Sequence, residues 1–362
     1  MPHLTFVHCI GWLLFLERVN KLYIVYPAII PWLSRTQTLL ELDLYIDKAH
    51  VLRALNDCLA TGTSLRQLTL LIVTLETGST TSLDRGQALW VLPSVKYLSL
   101  RGFGSSLPLI TAPSVTYLET TNIWDLTGLV HLLETCPELE TILVVALNAS
   151  VRQVNTRLVF PAPLTRLLRL LSQGGLLRLR RIYMGDTWCF PIETLVALRF
   201  CPQLEVVHLY LERFPFELPR FCCMTLFATN WENLLHMELS SCEHLGLPTD
   251  PTTAEAGVKL GLLRQQLVEE WYAKTPGSSD AKYGSALLSL RISARLLEQF
   301  FWLVSTSSSS SPKKQAVAFP ELERLTLIAG PKTEEHSGGI NMTTVLLHPT
   351  RFFPKLKKLS LE

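Results

Sequence analysis

The sequence predicts one α/β solenoid, a stack of parallel strands with helices or loops returning behind them, and three observations predict it. An apolar-x-x-apolar-x-apolar strand pattern recurs about a dozen times along the chain. In six copies a proline stands two residues ahead of the first apolar position, at Pro93, Pro113, Pro137, Pro202, Pro320 and Pro354. The run from Leu132 to Val145 shows one whole junction: a helix end at Leu132-Leu133, a stop at Pro137, and a buried strand directly after it.

From the N-terminus, Leu4 to Leu16 is an apolar run with no basic residue before it and no small-residue cleavage site after it. It is shorter than the roughly 20 residues a spanning helix needs. It therefore reads as a capping segment, residues 1–18, ahead of a repeat region at 19–362. The expected strands carry Val19/Leu22/Ile24, Leu39/Leu42/Leu44, Leu65/Leu68/Leu70, Val95/Leu98/Leu100, Val115/Leu118/Thr120 and Leu139/Ile142/Val144. They continue at Leu179/Ile182/Met184, Leu204/Val207/Leu209, Leu234/Met237/Leu239, Leu287/Leu290/Ile292, Leu322/Leu325/Leu327 and Leu356/Leu359/Leu361.

Between them, helical spacing is expected over Asp47 to Leu59, Asp125 to Thr135, Leu164 to Leu171 and Ile192 to Phe200. A short turn is expected at Pro27 to Leu33, and a short helix at Leu89, Trp90 and Leu92. Gly102-Phe103-Gly104-Ser105-Ser106 reads as a turn between strands, since no Lys-Ser or Lys-Thr helix start follows to make it a phosphate loop. Thr252-Thr253-Ala254-Glu255 gives a capping-box start to the longest helix, an insertion at about 252–274. A further helix spans Ala294 to Val304 and runs into a Ser-rich loop at 305–314, whose Ser311-Pro312-Lys313-Lys314 suits a proline-directed kinase. Pro331 to Gly339 is another polar loop.

These units resemble leucine-rich repeats, and Cys136-Pro137-Glu138-Leu139 and Cys201-Pro202-Gln203-Leu204 resemble the repeats of F-box/leucine-rich-repeat proteins of the irregular fungal type. The resemblance covers nearly the whole chain. It implies a curved parallel sheet on the concave face and helices on the convex face. The family's Asn or Cys three residues after the last strand apolar is mostly missing, Cys242 after Leu239 being the clear match. The family also implies an F-box before the repeats, and none is seen in the stretch that precedes the first strand.

Thirty-three Lys and Arg against 31 Asp and Glu leave a net charge of +2, without the basic excess that nucleic-acid or membrane-surface binding asks for. The eight cysteines, Cys9, Cys58, Cys136, Cys189, Cys201, Cys222, Cys223 and Cys242, form no compact framework. They read as thiols of a reducing compartment, cytoplasmic or nuclear. Asn148-Ala149-Ser150 and Asn341-Met342-Thr343 match a glycosylation acceptor at about the frequency accident supplies.

No G-x-S-x-G, H-E-x-x-H, C-x-x-C, Walker-A or Rossmann fingerprint occurs. His236, Cys242 and His244 lie close in sequence but lack a fourth ligand at a zinc spacing, so no metal or cofactor is expected. Glu41 and Asp43 share a strand face. They read as solvated carboxylates of ordinary acidity rather than an acid/base pair.

What remains is the strand face turned away from the core. Its middle positions hold Tyr97, Arg101, Tyr117, Glu119, Arg181, Tyr183, His208, Tyr210, His236 and Glu238. Tyr and Arg are enriched where proteins bind one another. The expectation is a non-catalytic recognition module with a protein partner on the concave face. By resemblance, its use would be substrate recognition for a cullin-type ubiquitin ligase. A small-molecule-binding co-receptor, with the 252–274 helix as a lid, and a free-standing scaffold are the alternatives.

Overall fold

The computed structural model describes residues 21–24, 39–46, 49–60, 65–76, 89–104, 107–123, 125–145, 157–158, 161–184, 188–190, 193–198, 200–212, 233–242, 286–293, 319–328 and 353–362, with the single residues Leu262 and Leu297. They fall in two compact units, Met1–Asn155 and Thr156–Glu362. Each unit is built as an α/β leucine-rich-repeat solenoid.

In the first unit, strands β1 (Lys21–Ile24), β2 (Glu41–Ile46), β3 (Leu70–Leu75), β5 (Tyr97–Gly104), β7 (Tyr117–Ile123) and β8 (Thr141–Val145) lie side by side in that order. All pair in parallel. Register stacks like on like: Leu42, Leu71, Leu98, Leu118 and Ile142 form one row and Leu44, Val73, Leu100, Thr120 and Val144 the next. Every one of these ten is buried. Because side chains alternate along a strand, the residues between them face the other way.

Helix α1 (Ala49–Ala60) packs on β2 and on β4 (Leu89–Val91), and helix α2 (Leu126–Glu134) packs on β6 (Leu109–Thr111). Strands β4 and β6 pair in parallel as a small second sheet. Trp90 of β4 is fully buried against Phe103, edge to face at 6.0 Å. Its indole N–H donates to Asn56 Oδ1 of α1 at 2.8 Å, which satisfies the polar atom that burial would otherwise orphan. Asp125 caps α2 by accepting from the Gly128 N–H at 2.9 Å.

The second unit repeats the plan with β10 (Arg181–Tyr183), β12 (Val206–Glu212), β13 (His236–Cys242), β14 (Ser289–Ser293), β15 (Arg324–Ile328) and β16 (Lys358–Leu361), again all parallel. Strand β11 (Trp188–Phe190) pairs with β12 and with β9 (Arg157–Leu158). Helices α3 (Pro161–Ser172) and α4 (Glu193–Leu198) pack together. Leu164, Leu167, Leu168 and Leu171 of α3 are buried, and Gly174 stops that helix with φ +75°.

Several of the described repeats open on a tight turn. The N–H of the first apolar residue returns to the carbonyl three residues earlier, Val115 to Ala112 at 3.2 Å, Leu139 to Cys136 at 3.2 Å and Leu356 to Phe353 at 3.1 Å. Proline takes the second place of that turn, where its fixed φ fits and no N–H is needed, which explains the regular prolines of the sequence. One residue later the strands are joined by a shared acceptor. The Lys96 carbonyl takes the N–H groups of Thr116 and Tyr117 at 2.9 and 3.0 Å, and Thr116 does the same for Glu140 and Thr141. Arg180, Glu205, Leu235, Leu288 and Glu323 continue the ladder in the second unit. Backbone groups at the strand starts are therefore satisfied without side-chain amides.

Several expectations change. The third strand uses Leu68, Leu71 and Val73, not Leu65/Leu68/Leu70: Leu70 stands across from Glu41 on the far side, and Leu71 from Leu42. Both triplets fit the pattern locally, and only pairing with β2 chooses between them. Leu89 and Trp90 belong to a strand, not a short helix, because β6 offers a partner. Gly102-Phe103-Gly104 extends β5 rather than turning, with a register shift between Arg101 and Gly104. Cys242, the match three residues after Leu239, is the last residue of strand β13. Residues 1–18, the Pro27 to Leu33 turn, and the loops 305–314 and 331–339 lie outside the described residues; so do the 252–274 insertion except Leu262 and the Ala294 to Val304 helix except Leu297.

Candidate functional site

The ten residues singled out on the strand face divide between the two units. In the first unit, Tyr97, Arg101, Tyr117 and Glu119 form one cluster. Tyr97 and Tyr117 are register partners on β5 and β7, so strand spacing alone brings their rings together. The centroids are 4.8 Å apart and the planes differ by 9°, matching the ~4.8 Å between neighbouring strands. The Tyr97 hydroxyl donates to Glu119 Oε2 at 2.6 Å, and Arg101 Nη2 donates to Glu119 Oε1 at 2.8 Å. Arg101 Nε donates to Ser99 Oγ at 3.1 Å, and this serine is fully buried beneath it. Glu119 thus orders two side chains of the neighbouring strand.

The setting holds the Tyr97 phenol protonated. Burial first, then the hydrogen bond to Glu119 and the Glu119 charge, push the Tyr97 phenol well above its ordinary range, so it remains a donor. Two strands away, Asp43 differs from its expected solvated character: it is half-buried, and burial pushes its pKa above the ordinary carboxylate value while the Arg101 charge pulls it down. It shares the Glu41 side of β2, as the spacing predicts.

In the second unit, Tyr183, His208 and Glu238 are neighbours along one register row. The Tyr183 and His208 rings meet edge to face at 6.4 Å, and His208 Nε2 lies 3.4 Å from Glu238 Oε1. Glu238 Oε1 also accepts from Arg291 Nη1. Arg291 in turn donates to Glu362 Oε2 from Nη2 at 2.7 Å and Nε at 3.2 Å. Burial opposes the Arg291 charge, but the bonds to Glu362 and Glu238 outweigh it and hold the guanidinium more firmly protonated. Arg181 reaches Glu205, which Arg180 also holds. His236 sits one row position away, between Val206 and Ser289. Burial, then the charge of Arg324, lowers its basicity. The Tyr210 backbone pairs with Cys189 and Ser240, and its side chain lies outside what is described.

Ser99, Arg291 and Glu362 take part without having been expected. All three occupy the same outward positions of the repeat as the chosen residues, so the signal was present in Leu287/Leu290/Ile292 and in Leu356/Leu359/Leu361. Among the described residues no group of His, Cys, Asp and Glu is arranged to hold a metal. His244 lies outside them. Cys136 and Cys201 are buried, which pushes both thiols up to about 12, and Cys58 to about 11. Such thiols are poor nucleophiles at neutral pH. No helix among the described residues is long and apolar enough to cross a membrane.

Neither a protein-family model nor a curated protein sequence matches this chain. Among solved structures it is similar to an internalin, inlF, from Listeria monocytogenes, with 12% identity over 96% of this chain and 88% of that one, and a TM-score of 0.32. The repeat assignment rests on register and hydrogen bonding, and this likeness adds no argument to it.

Proposed function

We propose that the chain is a non-catalytic recognition module that binds a protein partner through its outward strand face, with Tyr97, Tyr117, Arg101 and Glu119 as the contact cluster. The observation that carries this reading is the stacked tyrosine pair held by Glu119 and Arg101. Two aromatic rings are fixed in place before any partner arrives, so little side-chain entropy is lost on binding. Tyr and Arg in such an ordered setting are the types that dominate protein interfaces. Within the second unit, Tyr183, His208, Glu238 and Arg181 occupy the corresponding outward positions of its own strands.

The test is affinity capture from the native cell, comparing the parent with a Tyr97→Ala/Tyr117→Ala variant shown by circular dichroism to be folded. A bound protein is expected to fall at least about tenfold in the variant, the loss of one hot-spot pair. An unchanged set of bound proteins overturns the reading. The ligase role is supported by the resemblance of the Cys136-Pro137 and Cys201-Pro202 units. Recovery of adaptor and cullin subunits with the parent would be its direct sign, and their absence beside a lost partner would mark a free-standing module.

A further inference from the structure

The last two strands carry an alternation of charge that breaks at one place. Ahead of β15 and β16, Glu321 faces Lys355 with contacts of 2.6 and 2.8 Å, and Glu323 faces Lys357 at 2.7 Å. Both are opposite-charge pairs that favour this register. The next outward position reverses the rule: Arg324 stands directly across from Lys358. Both side chains are exposed, and like charges placed opposite one another destabilise a sheet.

No described carboxylate forms an ion pair with either. Glu323, the chain neighbour of Arg324, feels the Arg324 charge but accepts its hydrogen bond from Lys357. Glu238 and Glu362 on the same face are held by Arg291. The row continues from Arg324 to Ser289 and then His236. Four adjacent strands therefore present His236, Ser289, Arg324 and Lys358 in one line about 14 Å long, three strand spacings. That line offers two cations and no acid.

We propose that this row binds an acidic peptide segment of a protein partner, laid across β13 to β16 with a carboxylate between Arg324 and Lys358. Charge complementarity selects the occupant. A nucleic-acid backbone would bring negative charge over the neighbouring Glu238 and Glu362 as well, whereas a short peptide confines its carboxylates to the one row. The residues are not those of the tyrosine cluster, so either site can fail alone.

The experiment is fluorescence anisotropy of the full chain with a labelled peptide of about eight residues rich in Glu, long enough at ~3.3 Å per residue to cross the row. A matching peptide with Gln for Glu and an oligo-dT of similar length are run beside it. Saturable binding of the Glu peptide is expected, weakened by salt and at least about tenfold weaker in Arg324→Ser/Lys358→Ser, while Tyr97→Ala/Tyr117→Ala leaves it unchanged. The Arg324→Ser/Lys358→Ser variant is expected to melt no lower than the parent, since it removes a repulsion. Equal binding of the Glu and Gln peptides, no binding of the Glu peptide, equal binding by the double variant, or tighter binding of oligo-dT through the same residues would each overturn the proposal.

Discussion

Thr120 is fully buried, and its hydroxyl oxygen has no hydrogen-bond partner. Its row neighbours are Leu100 and Val144, so it holds an aliphatic position with a polar atom. Leaving such a group unpaired costs about 1–3 kcal/mol. Thr120→Val keeps the shape and is expected to stabilise the chain by about 1 kcal/mol, read as a higher denaturant midpoint at unchanged slope. Asp43 allows a pH test. Its folded pKa is raised by burial, so the folded state favours the protonated form. That advantage is complete below the ordinary carboxylate range, ~3.9, and is lost as pH rises through the raised folded value. Asp43→Asn is therefore expected to raise the melting temperature at pH 7 relative to the parent and to lose that gain near pH 3. The same gain at both pH values would show that its charge is not what is penalised. The alternation of the strand tells which way both residues point, whereas the missing partner of Thr120 and the burial of Asp43 depend on strands remote in sequence.

Strand β5 shows how an element acquires a fixed shape. Gly102 has φ +78°, and a Cβ there would lie 2.3 Å from the Leu75 carbonyl oxygen of β3. Gly102→Ala therefore forces a left-handed alanine and separates β3 from β5, at a cost of about 1–3 kcal/mol. A smaller loss would mean that the two strands part without strain. The same glycines look like a turn in the sequence, since Gly-x-Gly is a common turn signal. They read differently once β3 and β7 flank them, because a bulge needs the same backbone freedom as a turn. Strands β4 and β6 were missed for a related reason. Each is only three residues long, too short for a period to show, and each is a strand because the other pairs with it.

At the scale of the molecule, each unit is a chain of nearest-neighbour contacts, so damage should stay local. Leu118 and Leu290 are both fully buried. Either replaced by alanine should cost about 2–5 kcal/mol, and hydrogen exchange should locate the effect: faster exchange in β5, β7 and β8 for Leu118→Ala, and in β13, β14 and β15 for Leu290→Ala. Uniform acceleration across both units would contradict nearest-neighbour stability. The repeated apolar triplets, with prolines suited to the turn before them, determine by themselves that this chain stacks parallel strands. They also determine that Tyr97, Tyr117, Tyr183, His208 and Glu238 face away from the core. Periodicity is a local property, carried by six residues at a time, and a sequence records it directly. Which triplet of β3 faces inward, that Glu119 joins Tyr97 to Arg101, and that Arg324 meets Lys358 while the preceding Glu323 meets Lys357 were decided only by tertiary structure. Those facts depend on register between segments 20 or more residues apart, and register is set by the pairing of whole strands rather than by any one of them.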